Sequence, residues 1–233
     1  MHVDAEIRGN SLQAQEGRSS RSLREENMQP MSRKNHWEQV FSTRPEQEMS
    51  WFEPVPLLSL EMIRKSAHGK SDSIIDIGGG NSRLVDCLLA EGYGSVAVLD
   101  VSQKALAISQ SRLGSKAAAV QWIKSDVLAW RCTSPFDIWH DRAAYHFLTE
   151  APEQAAYAAL ASNAVKSGGV LIVATFALEG PPSCSGLPVY RSSAEMIAAN
   201  FAPSFELTES LPYEHGTPSG TIQRFQVTSL RRK

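Results

Sequence analysis

Cysteine is scarce, with only Cys87, Cys132 and Cys184 in 233 residues. Three widely spaced thiols neither pair completely nor form a close metal-binding cluster, so a disulfide scaffold and a structural zinc site are excluded, and no metal site is expected. An excess of one charge sign is also missing. Lys and Arg number 23 against 25 Asp and Glu, which offers no sequence-wide basic surface for a nucleic-acid backbone. Long apolar runs are absent as well: Val170 to Leu178 is nine residues and includes Thr175, far below the ~20 residues that span a bilayer. A soluble protein of the reducing cytoplasm is expected, with no membrane partner.

Aromatic residues are missing from residues 1–34, where Ser, Arg, Gln and Glu crowd GNSLQAQEGRSSRSLREENMQP. Such a stretch buries too little apolar surface to offset its ordering entropy, and it reads as a disordered leader. Met28 and Met31 leave a later translation start open. A mitochondrial targeting segment would be poor in acids, whereas this one sets Asp4, Glu6, Glu16, Glu25 and Glu26 beside six basic residues. Residues 35–233 are then one domain of ordinary size.

Within that domain, short Val- and Ile-rich runs alternate with stretches of helical spacing. Ser73–Ile77, Ser95–Leu99, Val120–Lys124, Phe136–His140 and Val170–Phe176 read as strands. Ser82–Glu91 and Ser102–Leu113 read as helices between the first three. Repeated strand, helix, strand predicts a parallel sheet, and the continuous apolar run VLIVATF fits a central strand covered on both faces. Phe205–Tyr213 and Thr221–Leu230, joined by the turn-forming EHGTPSG, predict an antiparallel pair at the sheet's end. Asn35–Ser42 and Leu57–His68 read as helices over the carboxyl ends of the strands or along one face.

The most informative segment is IIDIGGGNSRLVDCL, Ile74 to Leu88, in which a buried strand ends in an acid, then glycines, then a helix. Glycine lets the backbone approach a ligand, and the helix start offers unpaired N–H groups. A dinucleotide fingerprint requires G-x-G-x-x-G, yet Gly78, Gly79 and Gly80 are followed by Asn81, Ser82 and Arg83. Asp76 would also repel a pyrophosphate. A sulfonium nucleoside reverses that sign, because its cationic sulfur and ammonium are attracted by the same carboxylate. A plainer role for Asp76 is to cap Ser82 or the following turn.

Two further acids stand at strand ends. Asp100 closes SVAVLD and can accept both hydroxyls of a ribose, or else start the next helix before Ser102. Asp126 follows VQWIK, where it can accept an adenine amino hydrogen while the Val127 amide addresses a ring nitrogen.

With DIGGG as cofactor loop, VLDVS as ribose loop and SDVLAW as adenine loop, the chain resembles a class I S-adenosylmethionine-dependent methyltransferase from about Asn35 onward. Within that class it is similar to the elongation-factor lysine methyltransferase subgroup and its bacterial relatives, through the aromatics of HWEQVF and the acid and cation of FDIWHDRAAYHFL. The resemblance implies a Rossmann-like, doubly wound α/β fold with a seven-stranded sheet, mostly parallel with an antiparallel carboxyl-terminal strand. It also implies S-adenosyl-L-methionine as cofactor. Trp37, Phe41 and Trp51 would lie over it, with Gly78 and Gly80 against its methionine portion and Asp76 near its positive charge. Asp100 and Val101 would hold the ribose, Asp126 and Val127 the adenine, and Arg142 the carboxylate. The aromatic residues serve equally as ordinary packing.

Methyl transfer is an in-line displacement from an activated donor, so the protein must chiefly align the acceptor and exclude water. His140, Asp141 and His146 are the candidate bases. The loop EGPPSCSGLPVYR, Glu179 to Arg191, would lie at the carboxyl end of the sheet, where Cys184, Tyr190 and Arg191 could line an acceptor pocket. The acceptor is expected to be a small molecule or a protein lysine. A noncatalytic cofactor-binding module and a dinucleotide-dependent oxidoreductase are the alternatives.

Overall fold

Five Val- and Ile-rich runs form the parallel part of one sheet: β1 (Ser73–Ile77), β2 (Ser95–Asp100), β3 (Val120–Lys124), β4 (Phe136–Arg142) and β5 (Val165–Phe176). The computed structural model describes residues 32–233, so nearly all of the expected leader lies outside the described residues. The first helix, α1 (Arg33–Thr43), begins slightly before the expected boundary, and Lys34–Lys233 form one compact unit.

A short hairpin of β6 (Ser183–Cys184) and β7 (Leu187–Pro188) follows β5, and the chain ends in β8 (Phe205–Gly216) and β9 (Ile222–Arg232). The seven-stranded sheet has the order β3-β2-β1-β4-β5-β9-β8. Only β9 runs against the others, antiparallel to both β5 and β8. The chain leaves β1 in one direction to build β2 and β3, then returns to its other side for β4 and β5. The crevice at the carboxyl ends of β1 and β4 is therefore the topological switch point, where open α/β sheets bind ligands.

Alternation along the strands feeds two cores. Ile74, Ile138 and Ile172 pack on the face covered by α2 (Leu57–Ser66) and α3 (Leu84–Ala90), joined by Leu60, Ile63 and Leu88. Ile75, Ile77, Trp139 and Val173 pack on the other face with Tyr157 and Ala161 of α5 (Ala151–Ala164) and Ile197 of α6 (Ala194–Phe201). Complete burial of each such side chain contributes about 1.5–3 kcal/mol, so both layers are needed to hold the sheet. The remaining helix, α4 (Gln103–Leu113), starts at Ser102, whose hydroxyl accepts the Ala105 N–H at 3.1 Å.

Sequence periodicity misses α5 and α6. The former, APEQAAYAALASNA, is too rich in alanine to show a sharp apolar stripe, and its small buried Ala161 and Ala164 instead allow close approach to the sheet. Strand β5 also begins earlier than the apolar run suggests. Val165 pairs with Phe136, the ladder slips, and pairing resumes between Val170 and Ile138. Among the described residues no helix is long and apolar enough to cross a membrane.

Candidate active site

The turn after β1 is shaped by glycines that no other residue replaces without strain. Gly78 and Gly80 have φ of 67° and 27°, in the region L side chains rarely adopt. A Cβ on Gly78 would stand 2.7 Å from the Ala144 Cβ, and one on Gly80 would stand 2.6 Å from Asp100 Oδ2. Gly79 is equally closed, by the Asp76 carboxylate and Val98. The backbone is thus pressed onto the ends of β2 and β4, leaving Gly78 exposed at the mouth of the crevice.

Asp76 does not cap Ser82. It sits in register with His140 on the adjacent strand, and its Oδ1 lies 2.7 Å from His140 Nδ1, both groups buried. The other ring nitrogen of His140 is 2.9 Å from the Ser59 hydroxyl on α2. Asp100 is buried under the glycine turn, where its Oδ1 accepts the Ser102 N–H at 2.7 Å. Burial pushes its carboxyl up to about 7, against the help of the Ser102 amide and with Asp76 and Glu38 adding repulsion. Ser102, not Asp100, caps α4. Val101 is half-buried between them.

Glu38 is a site residue that sequence reasoning passed over, although it stands between Trp37 and Phe41 in HWEQVF. Its carboxylate accepts the Gln103 and Lys104 amides at 2.8 and 3.2 Å and the Ser102 hydroxyl at 3.0 Å. Burial opposes its ionisation, but these donors at the α4 amino terminus outweigh that and lower its pKa. The contact ties α1 to the turn after β2.

The aromatics gather with one another. Phe41, Met49 and Ala105 form a small core with Trp37 and Trp51 packed against it. Trp37 lies 6.0, 5.8 and 5.1 Å from the rings of Phe41, Trp51 and Phe147. This roof is fastened to the sheet by polar contacts. Arg142 donates to the Trp51 carbonyl and pairs with Glu53 at 3.0 Å, while Glu53 also accepts the Tyr213 hydroxyl at 2.9 Å and lies 3.1 Å from His215 Nδ1. Burial raises the Glu53 pKa, but His215, Arg142 and Tyr213 overcome it and leave the carboxyl below its ordinary range. The guanidinium expected at a cofactor carboxylate is therefore already paired with Glu53. Asp126 is exposed and caps its own turn through Leu128 N–H at 2.9 Å, with Val127 packed in the second core.

The three candidate bases do not form one cluster. His140 is engaged by Asp76 and Ser59. Asp141 points to the opposite face of the sheet, where it accepts the Ala144 and Tyr145 amides and the Tyr157 hydroxyl. Burial raises its pKa to about 6 against those donors, and its oxygens hold the turn after β4. His146 alone keeps both ring nitrogens without a hydrogen-bond partner, in complete burial. Burial lowers its pKa to about 3, so the ring is neutral. In the loop after β5, Arg191 clamps the Leu178 and Gly180 carbonyls, Tyr190 faces Asn200 and Tyr145, and Cys184 is buried with its thiol pushed up to about 11 by that burial. Among the described residues no group of acids, histidines and cysteines is arranged to hold a metal.

Ala143, at the junction of β4 and this turn, has φ of 67°. A non-glycine residue in that region is strained, and such residues concentrate at functional sites.

Together the strand order, the glycine turn and the acids ending β1 and β2 define the class I S-adenosylmethionine-dependent methyltransferase fold. The buried acids suit a cationic ligand rich in hydroxyl donors, and the closed glycine turn suits one bound against backbone. Residues 74–169 match the family model for a methyltransferase domain, which spans β1 to the middle of β5. Over that segment the chain is similar to methyltransferase domains. Similar solved structures include a S-adenosylmethionine-dependent methyltransferase from Anabaena variabilis, at 15% identity and TM-score 0.68, covering 87% of this chain and 96% of that one. Another is the N-methyltransferase NodS from Bradyrhizobium japonicum, with S-adenosylhomocysteine bound, at 13% identity and TM-score 0.64, covering 84% and 97%. The glycopeptide N-methyltransferase MtfA with S-adenosylhomocysteine is similar at 12% identity and TM-score 0.62, covering 82% and 94%. No curated protein sequence matches the chain.

Proposed function

We propose that the chain moves a methyl group from S-adenosylmethionine to a small-molecule acceptor in the crevice at the carboxyl ends of β1 and β4. The observation that carries this reading is Asp100, buried behind Gly80 with one oxygen on the Ser102 amide and its charge opposed by Asp76 and Glu38. A carboxylate in that position gains most from paired hydroxyl donors, which a ribose supplies. The donor brings an activated methyl group, so the chain has only to hold and align.

Asp76, fixed by His140, presents negative charge beside the glycine turn for the cationic end. Val101 lies beside the ribose, and Asp126 and Val127 receive the adenine edge at the exposed turn after β3. Trp37, Phe41 and Trp51 close the site above, where aromatic faces favour a sulfonium and exclude water. Arg142 acts on the cofactor through the roof, by holding Trp51 and Glu53. Gly78 and Gly80 let the methionine portion lie against backbone.

A protein lysine is the second reading, favoured by the likeness of HWEQVF and FDIWHDR to the lysine-modifying subgroup. Against it, the described acids near the acceptor end are already engaged, Asp141 by the turn and Glu53 by Arg142 and Tyr213. Calorimetry tests the main reading: saturable binding of S-adenosylhomocysteine without binding of NAD is expected, and the reverse would sink it. Isotopic methyl transfer into a lysate, read by mass spectrometry, then separates an enzyme from a noncatalytic cofactor-binding module.

A further inference from the structure

Glycine has the most backbone freedom to lose on ordering, and Gly78, Gly79 and Gly80 stand in a row at the turn after β1. A ligand that meets such a turn already in shape is spared the cost of ordering it. The groups that hold the shape lie on α4. Ala105, Ser109 and Arg112 recur at helical spacing and so share one face, which lies along the turn. A Cβ added to Gly80 would stand 3.0 Å from the Ala105 Cβ. The buried Ser109 hydroxyl donates to the Gly80 carbonyl at 2.8 Å. Arg112 donates from Nη1 to the Asn81 carbonyl at 3.2 Å and from Nη2 to the Ser82 carbonyl at 2.7 Å. Three consecutive carbonyls are thus taken up by two side chains of one helix.

From this arrangement we infer that Arg112, together with Ser109, is a positioning residue for methyl transfer, holding the glycine turn in its binding shape before the cofactor arrives. The inference rests on the methyltransferase reading above and extends that site to the last turns of α4. A planar guanidinium spans two carbonyls and a carboxylate at once, whereas an ammonium keeps the charge but lacks the fork.

The other contacts of Arg112 separate holding the turn from binding the ligand. Nε and Nη2 meet the two carboxylate oxygens of Asp86 on α3 at 2.9 and 2.7 Å. Nη2 also donates to Ser109 Oγ at 3.1 Å, and Nη1 lies 3.6 Å from Glu46 Oε2. The side chain is only 16% exposed. Its donors are engaged within the chain and its charge is matched by Asp86 and Glu46, so it acts through the turn and not on the ligand. Glu46 also accepts from Arg83 Nε at 2.8 Å, so the residue after the third carbonyl is held as well, by the segment that leads to Trp51.

The test uses the full chain at a temperature where every variant is folded. Calorimetry with S-adenosylhomocysteine compares wild type with Arg112→Lys and with Ser109→Ala, which removes one hydroxyl and stands in should the lysine variant fail to fold. Nuclear magnetic resonance of the ligand-free protein follows exchange of the Gly78 and Ser82 amides, which donate to the Leu99 and Gly79 carbonyls at 2.7 Å each. Affinity is expected to fall by roughly tenfold in Arg112→Lys and about threefold in Ser109→Ala, with faster exchange of both amides. A role confined to packing α3 against α4 would lower the melting temperature and leave the affinity in place. Affinity within about twofold of wild type in the folded variants, or unchanged exchange at the turn, overturns the inference. Failure of the wild type to bind S-adenosylhomocysteine at all would strike the methyltransferase reading itself, and this role with it.

Discussion

Asp76 and His140 face each other across adjacent parallel strands at 2.7 Å, and the far side of the imidazole rests on Ser59. The line runs from α2 to the glycine turn and fixes the buried acid that precedes that turn. Replacing the histidine leaves a carboxylate buried without its partner. His140→Leu is therefore expected to lower stability by about 2–3 kcal/mol and to weaken S-adenosylhomocysteine binding. Urea unfolding and calorimetry on the variant check both, and an unchanged affinity would show that Asp76 needs no positioning.

Asp100 makes the pH behaviour specific. Its carboxyl titrates near 7 when folded but near 3.8 when unfolded. Between those values the native state binds the extra proton, so the empty protein loses stability as pH rises from about 4 through 7. The ionised form is also the better acceptor of ribose hydroxyls, so S-adenosylhomocysteine affinity is expected to rise from pH 6 to pH 8. Asp100→Asn should flatten both trends, and Asp100→Ala should weaken binding by roughly 1.5–3 kcal/mol. Thermal melts and titrations across that range decide the matter.

The roof offers a kinetic prediction. Glu53 holds Arg142, Tyr213 and His215 together beneath the segment that carries Trp51. Glu53→Gln keeps the shape but removes the charge, so the roof should open more readily. The expected result is dissociation of S-adenosylhomocysteine faster by roughly tenfold, equivalent to about 1.4 kcal/mol, in a stopped-flow displacement experiment.

Gly78→Ala combines a positive φ with a side-chain atom placed 2.7 Å from Ala144. The backbone strain alone is worth about 1–2 kcal/mol, and relief of the contact must move the turn that leads to His146. Loss of cofactor binding with a folded circular-dichroism spectrum is expected. Normal binding would show that the turn has room to adjust.

The acid side carries a second titration. His146 is neutral in the folded chain down to about pH 3, whereas an unfolded histidine takes up a proton near 6.5. The unfolded state binds more protons across that window, so stability falls as pH drops from 6.5 toward 3. His146→Phe should remove this component, measured as a smaller loss of melting temperature between pH 6.5 and 4.

Much of this was legible in the chain. The limits of β1 and β3 match the runs read from the sequence, β1 as a buried central strand and β3 as a partly exposed edge strand. The glycine turn and the acids at Asp76 and Asp100 are equally local, since a residue at a strand end needs no distant partner to be recognised. Helix α5 was not legible, because an alanine-rich helix buries against a sheet without a marked stripe, and α6 spans only eight residues. The polar fasteners were hidden for a different reason: Glu53 meets Tyr213 and His215 across 160 or more residues of chain, and Glu38 meets the start of α4 across more than 60.

The sequence by itself determined the class of fold, the glycine turn and the acids at the strand ends, all set by local periodicity and conformational freedom. Only the tertiary structure divided the three residues near the end of β4. Alternation across the sheet sent Asp141 to one face, where amides and Tyr157 take it up, and His140 to the other, where Asp76 and Ser59 take it up. His146, one turn later and enclosed by rings, was left with no partner. Spacing cannot reveal that difference, because it depends on which side chains from distant segments arrive to satisfy each buried polar group.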